Sequence, residues 1–350
     1  MATLSAVARK HGAVAAPMPT HIVPMLATLS EMPREQSGFG FEYKWDGIRG
    51  VFFLGGERWR METRNLIDVS HVYPEFTGLV EALPKTKVVL DGEIITFDEK
   101  GRPSFGRLQH RLGIGEKRAV MLQADIPVTY MIFDVLYLQG YTLMGVPFAE
   151  RRDILEGLSL EGAHWRTPPC YRGEGTPVLE AARQNHLEGV MAKRLEGLYH
   201  PGLRTGDWRK IKLVDRQEFV VAGWTPISTG ANAIGALLVG YYEPAAKGAP
   251  KSKGATGARG KRLVYAGKVG TGFTDHDRRE LARALEKKHR DTSPFATEAP
   301  TGGVHFVEPE FVGEVEFRGW TNAGHLRQPS FKGLRVDKAP TDVVKEEIGT

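Results

Sequence analysis

At 350 residues, with 41% hydrophobic and 25% charged side chains, the chain has an ordinary globular composition and enough length for two cores. Its net charge of +5 is a modest basic excess that fits a polyanionic partner without demanding one. Cys170 is the only cysteine, which excludes an intrachain disulfide and a cysteine-rich zinc site and makes a reducing, cytoplasmic compartment the default; no stretch approaches a membrane span.

Residues 1–20 are rich in alanine, broken by Arg9, Lys10, His11 and Pro17, and lack the apolar centre of a secretory signal. They read as a flexible lead-in, with packing expected to begin near Pro24-Met25-Leu26. The next landmark is Glu42-Tyr43-Lys44-Trp45-Asp46-Gly47-Ile48-Arg49, which sets a lysine at the lip of a tight turn between apolar runs at 39–41 and 51–54. Asp46-Gly47 signals the turn, since glycine accepts the positive φ that such a turn often demands. Arg49 lies just beyond. A neighbouring cation disfavours the ammonium form, so more of the Lys44 amine is expected to be neutral and nucleophilic. Taken alone, the octet also describes a solvated hairpin corner.

Further along, residues 70–83, 147–158 and 177–187 read as helices, with Thr176 as a cap and Pro177 in the first turn of the last. Residues 87–90, 94–97, 128–138 and 189–193 read as strands. Residues 21–214 are therefore expected to form an α+β domain on antiparallel sheets. After Val214-Asp215-Arg216 the texture changes. Short β runs at 218–224, 236–242, 263–268 and 312–317 surround one charged helix near 275–289, where Thr274 and Asp277 are spaced as a capping box. This pattern predicts a small all-β domain of the OB-fold type over residues 215–350, with a sandwich as the alternative. The low-complexity stretch 245–262 carries Lys247, Lys251, Lys253, Arg259, Lys261 and Arg262 without an acid. It suits either a solvated hairpin loop or a flexible cationic arm for a phosphate backbone.

Five stretches put charge where a purely structural sheet protein would not. Thr63-Arg64-Asn65 follows a strand-like run, and Asp91-Gly92-Glu93 interrupts an apolar strand pair as a bulge or a hairpin turn. Glu188 and Lys193-Arg194 bracket the apolar residues 189–192, while Lys210 and Lys212 share one strand face by period two. Arg327, Phe331, Arg335, Asp337 and Lys338 form a basic, acid-containing tail. Each has a bland explanation. Together they supply a lysine nucleophile, two carboxylates able to hold a ribose hydroxyl or a divalent cation, and several cations for phosphates. That inventory fits attack on the α-phosphate of a nucleoside triphosphate. The chain has no Gly-x-x-x-x-Gly-Lys-Ser/Thr loop, which excludes a P-loop ATPase.

The order of these stretches resembles the covalent nucleotidyltransferases: ATP-dependent DNA ligases, RNA ligases and mRNA capping enzymes. The likeness is above all to the ligase domain of bacterial non-homologous end-joining ligase D and its stand-alone relatives. It covers nearly all of the chain from about residue 21. It is carried by Pro24-Met25-Leu26-Ala27, residues 41–49, Leu90-Asp91-Gly92-Glu93, and residues 130–138, 188–194, 208–212, 235–243 and 326–338.

The resemblance implies that Lys44 becomes adenylylated by ATP, and that Arg49 and Arg64 approach the ribose, the AMP phosphate or the 5′-phosphate of a nick. It puts Glu93 on the ribose hydroxyl, Phe133 on the adenine face, and Glu42 with the backbone near Tyr43 around the base. Glu188, with Glu93, would hold Mg²⁺ or Mn²⁺, directly or through water. Lys210 and Lys212 would hold the α-phosphate, Arg204 the outer phosphates, and Arg327, Arg335 and Lys338 the pyrophosphate. Outside the family pattern, Phe133 reads as a core residue, Asp46, Asp91 and Asp134 as turn or network residues, and His200 and His325 as structural.

The implied activity is ATP-dependent sealing of nicked or broken duplex DNA through lysyl-AMP and DNA-adenylate. The protein is expected to be a monomer with no membrane partner, hinged near residues 214–216. The chain carries neither the polymerase nor the nuclease domain of multidomain relatives, nor a large amino-terminal DNA-binding domain. A Ku-like end-binding protein and a separate polymerase are therefore candidate helpers. The rivals are an RNA ligase or guanylyl-transferring capping enzyme, and a catalytically silent nucleic-acid-binding scaffold.

Overall fold

In the computed structural model, which describes residues 4–213, 215–227, 233–245 and 260–346, the strand Ile48–Gly55 feeds two cores at once. Ile48, Phe52 and Leu54 point to one and Val51 and Phe53 to the other, as a period of two requires. The described residues divide at residue 214 into two compact units. Residues 246–259 of the basic stretch and Val214 of the expected hinge lie outside the described residues.

In chain order the first unit carries α1 (Leu4–Lys10), β1 (Val14–Ala15), β2 (Leu26–Leu29), β3 (Phe39–Tyr43), β4 (Ile48–Gly55) and β5 (Arg58–Thr63). Then come α2 (Gly78–Ala82), β6 (Lys87–Thr96), α3 (Phe105–Leu108), α4 (Glu116–Leu122), β7 (Val128–Leu138) and β8 (Tyr141–Thr142). The unit ends with α5 (Phe148–Gly157), β9 (Trp165–Arg166), β10 (Tyr171–Arg172), α6 (Gly175–Gln184), β11 (Gly189–Arg194) and β12 (Arg204–Lys212).

One sheet runs β1-β8-β7-β6-β4-β5, with β9 beside β7, and a second runs β10-β3-β11-β12-β2. Pairing is antiparallel except for β7 with β9 and β12 with β2. One face of the first sheet packs against Phe76, Leu79, Phe105, Leu108, Ile154 and Leu155 of the helical segments. Its other face meets the second sheet through Val51, Phe53, Val89, Phe133, Tyr199 and Trp208. Val178 and Ala182 of α6 cover the far side of the second sheet.

Several local expectations change. The helix expected over 70–83 is two 3₁₀ turns, Ser70–Val72 and Pro74–Thr77, followed by the five-residue α2. Pro74 lacks the N–H needed to continue a helix from residue 70. α6 begins earlier than expected, at Gly175, so Thr176 is not its cap and Pro177 sits in its first turn, where no intrahelical donor is needed. Asp91-Gly92-Glu93 interrupts nothing: β6 passes through it as one strand, and the register against β7 slips at Asp91/Gly92, which is the bulge alternative. The lead-in read as flexible holds α1 and β1, with Ala8 fully buried and β1 paired to β8.

The second unit carries β13 (Asp215–Pro226), β14 (Ile234–Pro244), β15 (Lys261–Val269), α7 (Asp275–Glu286), β16 (His289–Arg290), β17 (His305–Phe317) and β18 (Ser330–Leu334). These form one antiparallel sheet, β15-β14-β13-β17-β16 with β18 beside β17, and not the two facing sheets of a sandwich. Register shifts in β13, β14 and β17 curl it around Phe219, Leu237, Val239, Val312 and Val315, and Leu281 and Leu285 of α7 pack into the same core. This is the OB-fold type. The capping box of α7 forms, with the Thr274 hydroxyl accepting from the Asp277 N–H and the Asp277 carboxylate from the Thr274 N–H. Among the described residues no helix is long and apolar enough to cross a membrane.

Candidate active site

The charged residues of the first unit gather because the ends of three strands meet. β3 pairs with β11 in the register Tyr43 to Val190, so Lys44 leaves β3 just where Glu188 enters β11, and the Lys44 N–H donates to the Gly189 carbonyl at 2.9 Å. β11 pairs in turn with β12, setting Gly189 opposite Lys212 and Met191 opposite Lys210. Lys44, Glu188, Lys210 and Lys212 therefore occupy one end of the second sheet. The Lys44 ammonium donates directly to Glu188, and the Lys212 Nζ lies 3.9 Å from the other Glu188 oxygen.

This pairing reverses the expected charge state of the lysine. Burial favours the neutral amine, but Glu188, assisted by Asp46 and Glu93, more than offsets it and raises the Lys44 pKa above its ordinary value. Arg49 does not act as the depressing cation, because it is matched by a carboxylate of its own. Its Nε and Nη2 grip Asp91 at 2.5 and 2.6 Å. Asp91 is completely buried and also accepts the Tyr199 hydroxyl at 2.7 Å. Glu93 sits opposite Arg49 across β4 and β6 and adds to the field that stabilises the guanidinium.

Glycine is needed at position 47 for a reason other than the one expected. Gly47 is not at positive φ; a Cβ there would overlap the Ile94 carbonyl oxygen and approach Ile95 Cγ2 to 2.8 Å. Gly92 is constrained likewise, its Cβ position lying 2.6 Å from the Met131 carbonyl oxygen.

Behind the lysine lies a buried ionic layer. Glu42 is 2% exposed, accepts from Arg152 Nη1 at 3.2 Å, and pairs with Lys193 Nζ at 2.7 Å. The Phe133 ring centroid lies 4.2 Å from the Lys193 ammonium and 4.6 Å from the Arg49 guanidinium, and Trp208 meets the ring edge-on at 6.1 Å. Tyr43 is half-buried beside Trp45 and Tyr171.

Arg64 follows β5 directly, and since Thr63 pairs with Gly50 it emerges at the same end of the sheet as the Lys44 turn. Arg204 begins β12 and donates to the Ala27 carbonyl; β12 bulges between Arg204 and Arg209, so Arg204 lies opposite Leu26 of β2 and Lys210 opposite Leu29, about 10 Å apart at the rise of a strand. In the second unit, Arg335 grips Asp337 at 2.8 and 2.9 Å and reaches Glu314 at 3.2 Å, while Lys338 pairs with Glu218 at 2.8 Å and Arg327 is exposed. A cavity of about 300 Å³, lined by Met18, Phe53, Arg58 and Arg60 among others, lies at the Gly55 end of the β4–β5 hairpin, opposite the Lys44 end.

Sequence reasoning assigned no role to Lys193, Arg152, Tyr199 or Trp208. Lys193 alone carried a signal, as a cation at the end of an apolar strand, on the opposite face from Val190 and Ala192.

The model for an ATP dependent DNA ligase domain matches residues 24–212, and that for an ATP dependent DNA ligase C terminal region matches residues 230–338. The multifunctional non-homologous end joining protein LigD of Mycolicibacterium smegmatis is 36% identical over 333 residues, 94% of this chain and 40% of that protein. The protein of the same name from Pseudomonas aeruginosa is 35% identical over 336 residues, 94% and 37% of the two chains. This chain thus spans about two fifths of the length of these relatives. Among solved structures, "mycobacterial DNA ligase D complexed with ATP and MES" is similar with a TM-score of 0.66 and 34% identity, over 93% of this chain and 98% of that one.

Proposed function

This chain belongs to the ATP-dependent DNA ligase family, and from that premise we propose that it seals 3′-hydroxyl/5′-phosphate breaks in duplex DNA through a covalent AMP on Lys44. The observation that carries this reading is the Lys44–Glu188–Lys212 cluster at one end of the second sheet, with Arg49 and Glu93 close by on the first.

The neutral Lys44 amine attacks the α-phosphorus of ATP; the N–P bond forms, the bond to pyrophosphate breaks, and the amine gives up a proton. An oxygen of the DNA 5′-phosphate then displaces Lys44, which regains its proton, and AMP passes to the DNA. Last, the 3′-hydroxyl attacks the activated 5′-phosphate, AMP leaves, and the strand closes.

Lys210 and Lys212 offset the α-phosphate charge, Arg49 and Arg64 meet the AMP or nick phosphate, Glu93 accepts the ribose hydroxyl, and Phe133 offers its ring to adenine. Glu42, held between Arg152 and Lys193, is a fixed wall of the base pocket. Arg204 meets the outer phosphates once it releases the Ala27 carbonyl. Arg327, Arg335 and Lys338 serve pyrophosphate only after Arg335 and Lys338 give up carboxylates of their own unit.

No cluster of three His, Cys, Asp or Glu occurs among the described residues, so a protein-only metal cage is not present there. Two hard carboxylates, Glu188 and Glu93, fit instead a Mg²⁺ or Mn²⁺ ion that completes its shell with water and phosphate oxygens. Such an ion would supply charge neutralisation at the phosphates, and Glu188 engaged with it would hold the Lys44 ammonium less tightly. The names of the LigD relatives place them in non-homologous end joining, so we assign this chain to DNA break repair, with a Ku-like end binder and a separate polymerase as helpers.

The test is incubation with α-labelled ATP and Mg²⁺ or Mn²⁺. Wild-type protein should retain label after denaturation and Lys44→Ala should not; equal labelling of both would end the assignment. Nicked DNA should then be sealed in preference to nicked RNA, and ATP used in preference to GTP.

A further inference from the structure

We propose that the turn at residues 63–67 is an apolar wedge that seats Leu66 and Ile67 against the sugar and base edges of duplex DNA at the break, beside the phosphate met by Arg64. The proposal rests on the ligase reading above and names positioning residues that reading does not contain.

Leu66 and Ile67 are adjacent, apolar and exposed, at 37% and 49% of their surface. Single exposed apolar residues are commonplace, but here two occupy the tip of one turn. Leu66 is also held at φ 61°, a left-handed conformation that costs a bulky side chain roughly 1–2 kcal/mol. The other non-glycine residues at positive φ among the described residues are Lys85, Gln139, Ser159, His186 and Gln328, all polar. A leucine in this conformation, with its side chain in solvent, contributes little to the core and strains the backbone.

The strain is held by a dense set of hydrogen bonds. The Leu66 N–H donates to the Thr63 carbonyl at 2.9 Å, the Thr63 N–H to the Ile67 carbonyl at 2.9 Å, and the Ile67 N–H to the Thr63 hydroxyl at 3.3 Å. Just beyond, the Ser70 hydroxyl accepts from the Met61 N–H at 2.9 Å and donates to Asp68 at 2.6 Å. The tip is thus preorganised, and little ordering entropy remains to be lost on docking.

Placement and charge identify the occupant. β5 runs antiparallel to β4 with Thr63 opposite Gly50, so the 63–67 turn leaves the sheet at the end where the Lys44 turn enters it. Arg64 and Asn65 supply a cation and an amide donor next to the apolar pair, while the one acid, Asp68, is turned onto Ser70. Phosphates beside apolar sugar and base edges are what a broken duplex presents, and apolar wedges are an established means of holding DNA at such a step.

The test compares wild type with the double variant Leu66→Asn/Ile67→Thr, chosen because asparagine tolerates the left-handed conformation and threonine keeps the branch. Lysyl-AMP formation without DNA and the thermal midpoint should match wild type. Affinity for a nicked duplex should fall about tenfold, as loss of two partly buried aliphatic contacts implies. The slope of log Kd against log salt should not change, whereas Arg64→Ala should reduce it by about one phosphate contact. Unchanged DNA affinity at every salt concentration would overturn the wedge. So would an equal loss in lysyl-AMP formation, which would make the turn part of the nucleotide site. Should wild-type protein form no lysyl-AMP at all, the ligase reading fails, and the binding comparison still decides the wedge.

Discussion

Replacing Asp91 by asparagine probes the buried clamp beneath the nucleotide site. Asp91 is fully buried, holds Arg49 through contacts at 2.5 and 2.6 Å, and accepts the Tyr199 hydroxyl at 2.7 Å. Asparagine keeps the shape but not the charge, and leaves a guanidinium that is 19% exposed against Phe133 and Trp208 with only Glu93 to balance it. Breaking a buried pair from one end costs about 3–5 kcal/mol, and the remaining carboxylate argues for the low end. At about 2–4 °C per kcal/mol for a unit of this size, the thermal transition of the first unit should fall by about 6–12 °C in calorimetry. The double variant Arg49→Met/Asp91→Leu removes both charges and should recover part of that loss, the buried Tyr199 hydroxyl being left without its acceptor, while forming no lysyl-AMP. A single variant within 1 kcal/mol of wild type, roughly the worth of an exposed pair, would refute the reasoning, as would a double variant no more stable than the single.

The raised Lys44 pKa means that the nucleotide-free amine is protonated throughout pH 6–9. Competitive acetylation at pH 9 should therefore modify Lys44 more slowly than exposed lysines, Glu188→Gln should reverse that order, and fast modification of the wild type would contradict it. By linkage, the stabilisation from this pair is complete below pH 10.5 and fades only as pH climbs through the higher folded value, so it produces no stability change across pH 6–9. Burial pushes the Cys170 thiol up to about 12, so thiol reagents at pH 8 should label native protein at least a hundredfold more slowly than protein in denaturant. Thr274→Ala should lower the stability of the second unit by about 1 kcal/mol through loss of the α7 cap, measured by urea unfolding.

What could be read in advance was whatever local pattern encodes. The period-two spacing of Lys210 and Lys212 and the largely apolar run 128–138 depend only on near neighbours, and both appear as expected in strands. The fate of Arg49 was not legible, because the pairing of β4 with β6 that sets it beside Asp91 is a tertiary register. Without that register a nearby arginine reads as a depressor of Lys44, whereas in the fold it is neutralised and Glu188 decides the charge state. Gly47 was read as a tight-turn glycine, whereas it lies in the link that carries the chain from β3 of one sheet to β4 of the other, and the contact with Ile94 that excludes a side chain comes from another strand.

The strand Val14–Ala15 does more than extend a sheet. By hydrogen-bonding to Tyr141 and Thr142, it occupies a margin that would otherwise present unpaired amides to solvent. Trimming the protein to begin at residue 21, as its apparent domain limit invites, would strip away that cover together with the helix that buries Ala8. The shortened molecule would keep every reactive group and gain an adhesive border, inviting self-association between copies instead of any deficit in chemistry.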